Sequence, residues 1–177
     1  MSIKTIIILS IIGISTGCAP VLVTHDVGTN VDFGNYRTFY CWEYLDDFDP
    51  LSKEYDNEVN RELIMNALRF EMEKLGYGYE HDNPDITVTV DFHVVIEQRV
   101  EVVWEESPFN WQSHDHSAYP AHYKYGTLII HLVDYSDGQL IWQGTASSIL
   151  GDPKNAKKTI DKAVAKIFNQ YEFRAAH

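Results

Sequence analysis

Two cysteines in 177 residues are too few to staple a fold. One of them, Cys18, closes a leader-like stretch, so Cys41 has no partner and is expected to be a small buried apolar residue. Positive charge is scarce as well: 14 Lys and Arg stand against 26 Asp and Glu, a net charge of −12. A chain so acidic is repelled by a phosphate backbone, which excludes nucleic acid as a partner. No apolar run approaches the ~20 residues of a membrane-spanning helix. Catalytic signatures are missing too, with no Gly-rich phosphate loop, G-x-S-x-G, H-E-x-x-H, C-x-x-C or EF-hand loop. Carboxylates are plentiful, but none is placed as an acid/base pair, so the chain reads as a non-enzyme with no implied cofactor. No internal repeat and no Pro-rich or Gly/Ser-rich linker divides it.

What is present is apolar material for one core, 45% of residues being hydrophobic and 13% aromatic. The chain opens with Lys4, an apolar stretch from Ile6 to Ile14, and then Ser15-Thr16-Gly17-Cys18. This is the outline of a signal peptide over residues 1–17. Small residues directly before a cysteine resemble the lipobox of bacterial lipoproteins, and that resemblance implies diacylation of Cys18 and cleavage before it. Removing residues 1–17 takes away Lys4 and no acid, leaving 13 bases against 26 acids and a charge of −13. Two acyl chains suffice for stable anchoring where one does not. Ala19 follows the cysteine in place of the Asp that retains lipoproteins in the inner membrane. The resemblance therefore implies an outer-membrane anchor in the cell envelope, with the domain facing the periplasm.

Residues 18–30 read as the acylated N-terminus and a short tether, with a possible strand at 21–27, and residues 31–177 as one domain. Residues 36–42 are β-branched and aromatic, hence a strand. An acidic run over 43–62 leads into a helix whose apolar arc is Val59, Leu63, Ala67 and Phe70, widened by Ile64, Leu68 and Leu75 and stopped by Gly76. From Ile86 the period becomes two, through Val88, Val90, Phe92, Val94 and Ile96 and again at Val100, Val102 and Trp104. Two further strands, 125–133 and 140–150, are joined by a turn containing Asp137-Gly138, a hairpin signal. Asp152 caps a last helix that begins at Pro153 and carries Ile160, Val164, Ile167 and Phe168 on one stripe. The expected fold is α+β, a mainly antiparallel four-stranded sheet with two amphipathic helices packed on one face. Leu63, Leu68, Val88, Val90, Leu128, Ile130 and Trp142 are expected to meet the last helix. The macrodipole disfavours Lys154, Lys157 and Lys158 near its start; the acidic run is an available partner, a solvated face the plainer reading.

Asp32-Phe33-Gly34-Asn35-Tyr36-Arg37-Thr38-Phe39 with Trp42, Gly76-Tyr77, and Pro84-Asp85-Ile86-Thr87-Val88 resemble the opening motifs of the bacterial lipoprotein family called domain of unknown function 4136. Gly126 to Asp134, Gly138, Leu140 to Gly144 and Ala163 to Phe168 resemble its hairpin and closing helix. The likeness spans residues 32–168 and departs at His131, where the family more often has an acid. It implies an envelope lipoprotein with an α+β domain and supplies no reaction.

One connection stands out. Residues 104–125 hold six aromatics, Trp104, Phe109, Trp111, Tyr119, Tyr123 and Tyr125, together with His114, His116 and His122. The spacing of these aromatics fits neither period two nor 3.6, which predicts a long, exposed and mobile connection. Trp104, Phe109, Trp111 and Tyr119 are the candidate partner-binding residues, for another envelope protein or a small ligand. The competing reading has Trp104, Tyr123 and Tyr125 extend the two flanking strands. His114, His116 and His122 are the candidate ligands of a divalent metal. His93 and His131 are expected on the polar face of the sheet.

Overall fold

Alternation in the second half of the chain builds the sheet, and two helices close over its apolar side. The computed structural model describes residues 21–42, 53–106 and 114–176. In chain order the elements are β1 (Leu22–Val27), β2 (Thr38–Cys41), α1 (Glu58–Lys74), β3 (Gly78–Tyr79), β4 (Ile86–Glu106), β5 (His114–Asp134), β6 (Leu140–Ile149) and α2 (Ala156–Phe168). The strands form one six-stranded sheet in the order β1-β6-β5-β4-β2-β3.

The sheet corrects the expected four antiparallel strands in number and direction. β2 pairs in parallel with both β3 and β4, because α1 is a crossover that returns the chain to the same end of the sheet. β3, two residues long, carries no periodic signal. β1 is the possible strand read within the tether, and it pairs antiparallel with β6 from Leu22↔Ser147 to Val27↔Trp142. The β5–β6 hairpin turns as expected, with Gly138 at φ +73°. Gly76 at φ +96° ends the turn after α1.

Phe39, Cys41, Ile86, Val88, Leu128, Ile130, Leu132, Trp142 and Ala146 are buried on the sheet's covered face. Against them pack Ile64, Leu68 and Met72 of α1 and Val164, Ile167 and Phe168 of α2. The expected α2 stripe is therefore the core stripe, with Ile160 at its partly buried edge. The α1 arc is shifted: Val59 and Phe70 are 66% and 63% exposed, and the covered set runs through Ile64, Leu68 and Met72. The apolar arc of α1 is wider than the strip the sheet covers, so helical spacing alone does not select which part goes under. Burial pushes the Cys41 thiol up to about 12, an inert neutral group.

The family-like motifs fasten elements together. Asp85, at the foot of β4, accepts from the backbone N–H of Arg37 at 2.8 Å and of Thr38 at 2.9 Å. Tyr36 donates its hydroxyl to Asp134 Oδ2 at 2.7 Å, tying the entry to β2 to the end of β5. Asp134 also accepts from the N–H and hydroxyl of Ser136 at 2.8 and 2.6 Å. Phe33 stacks on Phe173 at 3.6 Å between centroids, and Ala176 donates its N–H to the Tyr36 carbonyl, so the C-terminal tail covers the first motif.

Candidate functional site

Twenty-one residues on each strand make β4 and β5 far longer than their neighbours. They pair in unbroken register from Ile86↔Asp134 to Glu106↔His114. The third strand gives out early: β6 reaches Tyr125 through Ile149, and its last tie is the Leu150 N–H to the Lys124 carbonyl at 2.7 Å. On the other side β2 reaches Val88. Among the described residues, the pairs from Ile96↔Lys124 to Glu106↔His114 therefore have no third strand beside them. At ~3.4 Å per residue this two-stranded arm extends about 35 Å past the sheet.

The expected connection over 104–125 is thus mostly strand. The strand part of the competing reading holds, since Trp104, Tyr123 and Tyr125 extend the two strands, but that reading left His114, His116 and His122 in a tip with Phe109 and Trp111, whereas all three histidines, like Tyr119, lie on β5. Read as one stretch, 104–125 has no period; once β5 is taken to begin at His114, Tyr119, Tyr123 and Tyr125 fall at even spacing within one strand. On β4 the arm keeps period two, with Glu97, Arg99 and Glu101 alternating with Ile96, Val100 and Val102 and Gln98 as the break, while β5 from His114 to Lys124 has no such alternation, which is why it reads as a connection. Trp104 stands opposite His116 and Tyr119 opposite Glu101. Phe109 and Trp111 lie outside the described residues, as does Cys18. Pro120, opposite Val100, occupies a strand position with no third strand beside it, the kind of site where a missing N–H is tolerated.

The three candidate metal ligands are strung along β5. His114, His116 and His122 occupy register positions opposite Glu106, Trp104 and Gln98. But His122 is six residues, about 20 Å, from His116, whereas ligand nitrogens sit about 2 Å from one ion. Among the described residues, no group of three His, Cys, Asp or Glu is placed to hold a metal. His131, on the uncovered face of the sheet, lies with Nδ1 3.7 Å from Asp91 Oδ2, an ion pair when the imidazole is protonated.

The domain body carries an open groove of about 540 Å³ between α1 and α2, lined by Leu63, Ala67, Phe70, Glu71, Lys157 and Asp161, and a small cavity in its core. A cavity of about 70 Å³ lies at the arm end of the core, lined by Tyr55, Ile64, Phe92, Leu128, Ala146 and Ile160. Small-molecule sites commonly occupy ~300–1,000 Å³. Two buried phenols, Tyr77 and Tyr171, share a hydrogen bond of 2.9 Å, and burial holds both in the neutral form. Among the described residues, no helix is long and apolar enough to cross a membrane.

Residues 23–171 match the family described as Domain of unknown function (DUF4136). The chain belongs to this family. No curated protein matches it. A DUF4136 family protein from Bacteroides thetaiotaomicron has the same fold at 17% identity, a TM-score of 0.53, and coverage of 85% of this chain and 95% of that one. PelC from Paraburkholderia phytofirmans, described as a dodecamer, aligns at 10% identity and TM-score 0.51 over 88% of this chain and 99% of its own. A PDZ domain protein from Parabacteroides distasonis aligns at 17% identity and TM-score 0.54; the alignment covers 88% of this chain and 37% of that larger protein. At these identities the likeness is one of fold, and the family is one of unknown function.

Proposed function

We propose that this DUF4136 protein is a lipid-anchored component of the bacterial cell envelope whose domain binds another envelope protein and catalyses nothing. In this reading the peptide over residues 1–17 is removed and Cys18 carries the lipid. The domain then faces the periplasm from the outer membrane. The observation that carries the binding role is the β4–β5 arm, two strands whose outer backbone groups meet no third strand among the described residues. Such edges are templates for strand addition, which natural proteins otherwise cover or shorten. The partner-binding connection and the exposed sheet edge are then one feature. One structural relative is a dodecamer, so a second copy of this chain is the first partner to test.

Two experiments test the reading. Cys18→Ala should abolish incorporation of a labelled fatty acid and leave the precursor uncleaved; continued labelling overturns the anchor. Replacing residues 97–123 with an Asn-Gly turn closes the hairpin at the Ile96↔Lys124 pair. That variant should keep its melting temperature within a few degrees and lose the envelope crosslinks, or the self-assembly seen in sedimentation, of the parent. Unchanged crosslinks and assembly overturn the binding role of the arm.

A further inference from the structure

Positive charge is concentrated in one place on this acidic molecule. Five of the 14 basic residues, Lys154, Lys157, Lys158, Lys162 and Lys166, fall on α2 and the turn before it. α2 itself carries four lysines against the single Asp161, whereas α1 carries four glutamates against Arg61, Arg69 and Lys74. Lys158, Lys162 and Lys166 recur every fourth residue, on the side of α2 opposite the buried Val164 and Ile167. Lys154, Lys158 and Lys162 are exposed, and Lys166 is half-buried. Lys157 pairs with Asp161 at 2.8 Å. Among the described residues, Lys154, Lys158 and Lys166 meet no carboxylate, so the acidic residues 53–62 do not neutralise these three. Asp56 there is taken by Arg61 at 2.7 Å and Glu54 by Lys124 at 2.5 Å.

The stripe lies where the chain enters the domain. Phe168 packs on Trp142, at 5.9 Å between ring centroids, while Ala156 and Ser148 line the same small cavity. α2 therefore runs back antiparallel to β6, its first turn at the C-terminal end of that strand. β1 begins at the same end, with Leu22 opposite Ser147. Cys18 precedes Leu22 by four residues, a span of at most about 14 Å.

From this juxtaposition we propose that the lysine stripe of α2 lies against the phosphate headgroups of an anionic phospholipid bilayer, the one that holds the Cys18 anchor. The proposal rests on the lipid-anchor reading. The tether holds the start of β1 within about 14 Å of the anchoring surface, and a basic helix face at that end of the sheet is drawn to the surface by an attraction that acts over ~8–10 Å at physiological salt. With α2 flat on the surface, the strands run along the bilayer, and the arm extends beside the membrane instead of away from it.

The test uses the full-length acylated chain in vesicles of phosphatidylcholine, with or without phosphatidylglycerol. Acetylation rates are read at each lysine by mass spectrometry. Flotation with phosphatidylcholine vesicles reports the anchor alone, so failure to float overturns the anchor reading and with it this proposal. In floating samples, Lys154, Lys158, Lys162 and Lys166 should react at least about threefold more slowly on phosphatidylglycerol vesicles, with Lys53 unchanged. That protection should vanish between about 0.05 and 0.5 M salt. The variant combining Lys158→Glu, Lys162→Glu and Lys166→Glu should float equally well and lose protection at Lys154. Equal rates on the two vesicle types overturn the proposal. Protection on phosphatidylcholine that grows with protein density also overturns it, showing that a second copy covers the stripe.

Discussion

Thr38 and Asp85 hold each other reciprocally. The Asp85 carboxylate accepts from the Thr38 N–H at 2.9 Å and from its hydroxyl at 3.0 Å, and that same hydroxyl oxygen accepts the Asp85 N–H at 2.9 Å. β2 and β4 are parallel, so no hairpin turn fixes their register, and this clasp sits where a turn would otherwise be. Asp85→Ala removes a charged acceptor from three donors and should cost about 2–3 kcal/mol in urea unfolding. Asp85→Asn, which keeps one acceptor oxygen, should cost less. Equal stability of Asp85→Ala and the parent would show that the strand pair needs no clasp.

Gly144 is a packing requirement. A Cβ there would lie 2.3 Å from Ile167 Cγ2 and 2.3 Å from the far edge of the Trp142 indole, which is fully buried. Gly144→Ala should destabilise by about 1–3 kcal/mol. Ile167→Ala in the same chain relieves one of the two clashes, so the double variant should be less unstable than the sum of the singles.

Ile167 and Phe70 make a paired test of which helix faces are covered. Ile167 is fully buried and Phe70 is 63% exposed. Ile167→Asp should leave the domain unfolded at room temperature, an unpaired buried charge costing several kcal/mol against a typical margin of ~5–15. Phe70→Asp should change stability by no more than about 0.5 kcal/mol. Circular dichroism melts of the two variants separate these outcomes.

Asp134 links stability to acid. Its partial burial pushes the carboxyl up, but hydrogen bonds from Ser136 and Tyr36 outweigh that and hold it below the ordinary value of 3.8. A depressed carboxylate contributes stability that is present above its unfolded pKa and is lost as pH falls through the folded one. The parent should therefore lose stability on acidification below about pH 4. Tyr36→Phe should cost about 1 kcal/mol at neutral pH and flatten that loss. An unchanged acid slope in Tyr36→Phe would mean that Ser136 alone sets the Asp134 titration.

The elements legible in the sequence were those with a long, unmixed period. The stripe Val164, Ile167 and Phe168 and the alternation from Ile86 to Phe92 each identify both an element and its covered face. Asp152-Pro153 and Asp137-Gly138 mark their turns by local chemistry that tertiary packing leaves unchanged. Gly78-Tyr79 is too short to carry a pattern, and its pairing is dictated by where α1 delivers the chain. Val59 and Phe70 belong to an apolar arc wider than the strip that the sheet covers. Half of the arm was legible, since the β4 alternation resumes at Val100, Val102 and Trp104 after the single break at Gln98, whereas the β5 half, from His114 to Lys124, carries no apolar alternation and reads as a connection. The lysine stripe was visible as composition, but its nearness to the chain's entry depends on β1 pairing with β6.

That β1–β6 pairing also has a mechanical meaning. β1 is the first described strand and lies at the sheet edge, so tension reaching Leu22 along the chain passes into the β1–β6 ladder. Six register pairs join the strands, from Leu22↔Ser147 to Val27↔Trp142. A pull along the strand axis loads these pairs together, in shear, whereas a pull across the sheet would unzip them one after another. The direction of force on the N-terminus, more than its size, therefore decides whether the edge strand holds or peels.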